Sequence, residues 1–247
     1  MEWEAKASGC WALDFGCSPH ELRPARTHVQ AHTANLASST GIWVLVAGSG
    51  PLVSMPADVL ATHGERAKSW TSGLISDERL LLNELAGLAP GRVGRVMGPA
   101  PIHYGSAASL DLHEAERAVA FTPETAIVHE LRDACGEAWE DGGSELSELS
   151  PGVPLFGAFD DAGQLAALAS YRIWNQAIAH ISIITRPACR GRGFGRAAVA
   201  RAAQYALGAG LVPQYRTLRS NAASIVVAKR LGFVEYGFSV YVRMQAA

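Results

Sequence analysis

Little in this chain would hold a metal ion or a disulfide framework. Its four cysteines, Cys10, Cys17, Cys135 and Cys189, show no paired spacing of the kind that ligates zinc. So few scattered thiols suit a reducing, cytoplasmic setting. Long apolar runs are missing too. No window approaches the roughly 18 uninterrupted apolar residues of a membrane span, so no membrane partner is expected. The opening residues, Met1-Glu2-Trp3-Glu4, are acidic and lead into no apolar stretch, so no signal peptide is expected either. An excess of charge of either sign is also lacking. The formal net charge is −2, and only residues 186–201 concentrate arginine, which gives no footprint for nucleic acid. What remains is an ordinary folded composition, 49% hydrophobic and 18% charged over 247 residues, enough for one large domain or two small ones.

The most informative stretch is Ala179 to Ala198, AHISIITRPACRGRGFGRAA. Ile181, Ile183, Ile184 and Thr185 read as a strand, and Pro187 turns the chain out of it. Arg190-Gly191-Arg192-Gly193-Phe194-Gly195 then leads into an alanine-rich segment with helical spacing. A strand, a glycine loop and a helix in that order make an anion site. Glycines let backbone N–H groups converge, the helix start adds unpaired donors, and arginines supply fixed positive charge. A nucleotide tail carrying several phosphates suits such a site, with Arg190, Arg192 and Arg196 as its charge partners.

Elsewhere the pattern predicts a hairpin from 42–46 to 52–54, a helix from Pro56 to about Ser69, and a helix from Ser76 to Leu85 with Ser76 as its cap. Gly98-Pro99-Ala100-Pro101 is expected to interrupt regular structure, and His103-Tyr104-Gly105 to lie in a loop. The first forty residues show little periodicity. A fresh unit begins near Glu116. It comprises a strand to Phe121, a helix through Ile127, Leu131 and Cys135, and a polar loop over 137–150. Strands follow at 153–159 and 165–171, joined by Asp160-Asp161-Ala162-Gly163. After the glycine loop come a helix to about Leu207, a strand at 214–218, and a short helix from Ser220-Asn221 to Leu231-Gly232-Phe233. A last strand carries Phe238, Val240, Val242 and Met244 on one face. This divides the chain at 115/116.

Thr185-Arg186-Pro187, Arg190-x-x-Gly193-x-Gly195, Asn221-x-x-Ser224 and Leu231-Gly232-Phe233 resemble, in order and spacing, the GNAT superfamily of N-acetyltransferases over residues 116–247. The Trp-Asn dipeptide at 174–175 and Gln214-Tyr215-Arg216 are similar to bacterial members with an extra N-terminal half. The resemblance implies an α/β fold, a mixed and mostly antiparallel sheet flanked by helices, with residues 1–115 either a degenerate copy of that fold or an unrelated cap. It implies acetyl-CoA as donor. Its pyrophosphate would sit on the backbone of Arg190 to Gly195 at the helix start. Its pantetheine arm would lie along Ile183, Ile184 and Thr185 like an added strand, with Asn221 and Ser224 beside it.

Two departures from the family concern catalysis. Family members often carry a tyrosine seven residues after the motif asparagine as acid toward the thiolate. Position 228 is alanine here, which leaves Tyr236, Tyr241 or water for that role. The central strand also lacks the carboxylate that often serves as base. His180 is the substitute, since imidazole titrates near ~6.5, and Glu140 is a second candidate. The expectation is an N-acetyltransferase acting on a small-molecule primary amine by direct attack in a ternary complex, as monomer or homodimer. The alternatives are a protein or peptide acetyltransferase and a non-catalytic acetyl-CoA-binding module.

Overall fold

A computed structural model of the chain describes residues 2–88, 91–121, 125–139, 146 and 152–245. The chain packs as two compact units: Met1–Ile102 with Arg216–Ala222 and Glu235–Ala247, and His103–Tyr215 with Ala223–Val234. The final strand thus clusters with the N-terminal hundred residues, and 103–115 with the segment that follows them.

In the first unit, helix α1 (Glu2–Phe15) precedes strand β1 (His28–Ala31), the hairpin β2 (Ile42–Val46) and β3 (Leu52–Met55), and helices α2 (Ala57–Ala67), α3 (Ser72–Ser76) and α4 (Glu78–Leu88). Strand β4 (Val93–Tyr104) follows, and the last strand of the chain, β10 (Val234–Met244), completes the sheet in the order β1-β3-β2-β10-β4. β10 runs antiparallel to β2, with Phe238 opposite Val46 and Val242 opposite Ile42. The alternation read from the sequence is the core face. Phe238, Val240, Val242 and Met244 pack with Val44, Val53, Trp70, Leu81 and Leu85. On the other face Tyr241 packs against its register partner Trp43, ring centres 4.6 Å apart and planes tilted by 45°.

Four expectations are corrected along these elements. The first forty residues contain a fourteen-residue helix, anchored by Trp3, Ala7, Trp11 and Phe15 on its buried side. Ser76 ends α3 instead of capping α4; the Asp77 carboxylate does that, accepting from Leu80 N–H at 3.0 Å. β4 runs unbroken through Gly98-Pro99-Ala100-Pro101. Proline keeps its acceptor carbonyl, and Pro99 and Pro101 take the N–H groups of Arg219 and Thr217. His103 and Tyr104 end that strand, buried, rather than lying in a loop.

The second unit contains strand β5 (Val119–Phe121), helix α5 (Thr125–Cys135), strands β6 (Leu155–Phe159), β7 (Leu165–Trp174) and β8 (Ile178–Thr185), helix α6 (Phe194–Gly208), strand β9 (Val212–Arg216) and helix α7 (Ala222–Arg230). Its sheet order is β9-β8-β7-β6-β5, antiparallel except for the parallel pair β8–β9. This is the layered α/β arrangement that the resemblance implies: a mostly antiparallel sheet with helices on both faces. One face is covered by α6, whose alanines (Ala197, Ala198, Ala202, Ala203, Ala206) are fully buried with Ala179, Ile181 and Tyr215. Small side chains let the helix backbone approach the sheet closely. The other face packs Leu168 and Ile184 against Leu131, Cys135 and Trp139. Among the described residues, no helix is long and apolar enough to cross a membrane.

Candidate active site

Side chains on a strand alternate, so β8 presents two chemistries. Ile181, Ile183 and Thr185 face α6, while His180, Ser182 and Ile184 face the α5 side. The backbone alternates as well. Arg186 N–H donates to Ala166 O across the β7 side, so the even-numbered residues of β8 exchange hydrogen bonds with β7. The odd-numbered ones point the other way, toward β9, and Val212 N–H accordingly bonds Ala177 O. The parallel ladder with β9 runs from Ile178↔Val212 to Ile181↔Tyr215 and ends there, whereas β8 continues beside β7 to Thr185. The N–H and C=O groups of Ile183 and Thr185 therefore point past the end of a ladder, where an extended chain can pair with them. Ile184, grouped with them from the sequence, turns its backbone to β7.

Immediately beyond lies the glycine loop. Cys189 N–H bonds Arg186 O in a tight turn at Pro187–Cys189. Gly191 and Gly193 then take φ of +75° and +90°, which L side chains rarely adopt. Gly193 is the N-cap of α6, and Ala197 N–H closes the first turn on Gly193 O. Among the described residues no hydrogen bond is donated by the backbone N–H groups of Gly191, Arg192, Gly193, Phe194, Gly195 or Arg196. A fan of uncommitted donors at the positive end of a fifteen-residue helix fits a diphosphate. Gly195 explains how closely this fan meets β8: a Cβ there would lie 2.8 Å from Thr185 Oγ1.

The three arginines differ. Arg190 and Arg192 are exposed, and the Arg192 guanidinium lies 5.1 Å above the Phe194 ring. Arg196 is held by Glu114, Nε to Oε2 at 3.1 Å, with a second contact from Nη2 to Oε1. Arg117 shares the same carboxylate at 3.1 Å. Glu114 was not singled out from the sequence, since the segment that carries it, the 3-10 turn His113–Arg117, has no periodic signature.

Of the catalytic candidates, His180 is buried (3% exposed). Its Nδ1 is 2.7 Å from Gln214 Oε1, and its ring stacks on Trp174 with centres 4.4 Å apart and planes 15° from parallel. Tyr236 belongs to the other unit, on β10. There its hydroxyl meets Ser8 Oγ at 3.0 Å and Arg23 lies over its ring. Burial pushes the phenol up, opposed by the bond to Ser8 and the charge of Arg23. Glu140 lies outside the described residues. Asn221 immediately precedes α7, exposed. Ser224 lies in the first turn of that helix, on the side of Tyr215, whose phenol burial pushes up to about 12. Ala228, where the family tyrosine would stand, is fully buried in the α6-side core. Among the described residues there is no group of three or more His, Cys, Asp or Glu placed to hold a metal.

Residues 125–233 match the family profile described as acetyltransferase (GNAT). In structure the chain is similar to a putative GNAT acetyltransferase from Novosphingobium aromaticivorans, with 25% identity, 64% of this chain and 69% of that one covered, and a TM-score of 0.47. A GNAT acetyltransferase from Colwellia psychrerythraea gives 17% identity, coverage of 65% and 61%, and a TM-score of 0.46. A GCN5-related N-acetyltransferase from Kribbella flavida gives 17% identity, coverage of 68% and 64%, and a TM-score of 0.48. A comparison with curated proteins gave no match. Residues 125–233 of this chain are thus similar to the GNAT acetyltransferase family.

Proposed function

We propose that the protein is an acetyl-CoA-dependent N-acetyltransferase that acetylates the primary amine of a small molecule by direct attack within a ternary complex. One observation carries this reading. The N–H groups of Ile183 and Thr185 point past the end of the β8–β9 ladder, directly upstream of the uncommitted N–H fan at Gly191–Arg196. An extended arm ending in a diphosphate matches that sequence of donors. Acetyl-CoA supplies the acetyl group activated as a thioester. Ile183 N–H is a fixed donor for the oxyanion that develops on the thioester carbonyl, an arrangement worth roughly 3 kcal/mol where it has been measured. His180 takes a proton from the acceptor ammonium, and juxtaposition of amine and thioester supplies much of the remaining acceleration. The polar residues His180, Ser182 and Gln214, together with Arg172 opposite His180, support an acceptor carrying an amine. The protein is proposed to be cytoplasmic and to act alone or as a homodimer, with no nucleic-acid or membrane partner.

A second reading, a non-catalytic acetyl-CoA-binding module, is favoured by Ala228, which places an inert methyl group in the core where a proton donor would stand. Calorimetric titration with CoA, followed by a screen of small primary amines and of peptides with release of the CoA thiol as readout, separates the readings. Micromolar binding with turnover of small amines supports the enzyme. Binding without turnover supports the module, and turnover confined to peptides makes it a peptide acetyltransferase. Absence of CoA binding removes all three.

A further inference from the structure

The turn His113–Arg117 is docked on α6 by small residues. Ala115, and Ala118 just after the turn, are buried in the same cluster as the α6 alanines, and Ala118 N–H bonds Ala115 O at 3.2 Å. Upstream, Asp111 N–H bonds Leu231 O at 2.9 Å, which fixes the entry to the turn. In a 3-10 turn side chains three apart eclipse, and Arg117 accordingly pairs with Glu114. This pair stands at the glycine loop. A Cβ built on Gly193 would lie 3.4 Å from Arg117 Nη1, 3.8 Å from Glu114 Oε2 and 4.0 Å from Arg196 Nη2. Two guanidiniums and the carboxylate between them therefore meet beside the N-cap of α6.

Glu114 is buried, and its carboxylate is engaged on several sides. Arg196 meets it with Nε and Nη2 and Arg117 with Nη1. His113 Nε2 stands 3.6 Å from Oε1, while Asp111 engages Nδ1 of the same ring. A guanidinium carries five donors, so these bonds do not exhaust either arginine. Nη1 of Arg196, and Nε and Nη2 of Arg117, have no hydrogen-bond partner among the described residues. The result is two fixed cations with donors to spare, next to the uncommitted N–H groups of Gly191–Arg196.

We propose that Glu114 is a positioning residue that holds Arg196 and Arg117 as a two-arginine clamp beside Gly193, and that Arg117 is a further ligand of the diphosphate. This rests on the reading of the glycine loop as a diphosphate seat. Glu114 and Arg117 both lie upstream of residues 125–233, so the profile match does not bear on them. A diphosphate presents oxygens on two phosphorus atoms, one set for each planar fork. Long side chains lose rotamer freedom when they grip a ligand; with Glu114 in place, that ordering is already complete in the free protein.

The test is calorimetric titration of the full chain with CoA, dephospho-CoA and inorganic pyrophosphate. Arg117→Gln should weaken CoA about tenfold and dephospho-CoA by the same factor. Its binding should also be less sensitive to added salt than that of the wild type, which a merely structural contact would not change. Glu114→Gln separates positioning from charge balance by the sign of its effect. It removes a negative charge beside a polyanion, so a simple counter-ion would leave affinity equal or higher. A positioning residue makes affinity fall, by about fivefold, because the two released arginines must be ordered on binding. Arg230→Gln removes a positive charge at the exposed end of α7 and should leave CoA affinity within about twofold. Equal or tighter CoA binding by Glu114→Gln, or unchanged binding by Arg117→Gln, overturns the proposal. A loss in Arg117→Gln that is seen with CoA but not with dephospho-CoA moves Arg117 to the ribose phosphate and overturns its assignment to the diphosphate. If Glu114→Gln does not fold, Arg117→Gln, a change to a half-exposed side chain, still decides. Should the wild type bind neither CoA nor pyrophosphate, seat and clamp fall together; CoA binding that none of these variants alters leaves the seat standing and removes the clamp alone.

Discussion

Replacing Gly195 by alanine tests the contact on which the proposed anion site depends. Gly195 is the second residue of α6 and has no unusual φ, so alanine there should by default stabilise the helix by up to ~1 kcal/mol. The added Cβ, however, would lie 2.8 Å from Thr185 Oγ1, with Ile183 Cδ1 at 3.9 Å. Threonine is stiff at χ1, and β8 is pinned by β7 to Thr185 itself. Relief therefore has to come from displacing the start of α6. Overpacking of this kind costs about 1–3 kcal/mol. Set against the helix gain, the net loss is about 1 kcal/mol, or a Tm lower by about 2–4 °C for a chain of this size. The same displacement moves the N–H fan relative to Ile183 and Thr185, and CoA affinity should fall about tenfold, ~1.4 kcal/mol.

Gly208→Ala is the matching control. It lies at the far end of the same helix, where an added methyl would meet nothing within 4 Å, and should raise Tm while leaving CoA binding alone. Thermal denaturation and calorimetric titration with CoA read both variants. Should Gly195→Ala raise Tm alongside Gly208→Ala and bind CoA like the wild type, then α6 is not pressed onto β8, and the argument that joins the strand edge to the phosphate loop is wrong.

Gly232→Ala should be more damaging, because φ there is +79° and the new Cβ would run into the Ser109 carbonyl oxygen. A loss of at least about 2 kcal/mol, seen in urea unfolding, is expected from the left-handed backbone and the collision together. Glu84 receives Arg66 through Nε at 2.7 Å and Nη2 at 3.0 Å, together with Trp70 Nε1 at 3.1 Å, and the Arg66 hydrogen bond foremost lowers its pKa. A depressed carboxylate contributes stability above its unfolded pKa and loses it as pH falls through the folded value. Glu84→Gln should therefore flatten the acid limb of stability against pH below the usual glutamate range; an unchanged limb would refute the pairing. Tyr236→Phe strands the buried Ser8 hydroxyl and should cost ~1 kcal/mol, part of which the Ser8→Ala/Tyr236→Phe double variant recovers in a thermal scan.

What could be read from the sequence, and what could not, follows the range of the interactions involved. β10 was legible because its core face alternates at period two, and the glycine loop because its requirement for positive φ is local to Gly191 and Gly193. Helix α1 left a signal in Trp3, Ala7, Trp11 and Phe15, spaced four apart, but Ser8, Gly9 and Cys10 between them dilute it. β4 was hidden because two prolines speak against a strand while the carbonyls that rescue it are satisfied by residues more than a hundred positions away. The capping of α4 turned on a choice between adjacent residues, Ser76 and Asp77, both of which are good caps. Geometry decided it.

The same distinction runs through the site. The backbone groups proposed to seat a diphosphate lie within 183–196, placed by a strand, a turn and a helix start that follow one another in the chain. The groups around His180 come instead from three strands: Trp174 from β7, Gln214 from β9 and Tyr104 from β4. No spacing rule connects them, because a one-residue slip between β8 and β9 would bring Pro213 or Tyr215 opposite His180 and turn the Gln214 side chain to the α6 face. The parallel register is therefore as much a determinant of the histidine's chemistry as the histidine itself. It also ends one pair later, at Ile181↔Tyr215. The ladder that sets Gln214 beside the ring is the one whose termination leaves the backbone of Ile183 and Thr185 beyond its last pair, so a single stretch of strand pairing sets both the surroundings of the proposed base and the edge along which an acyl donor would lie.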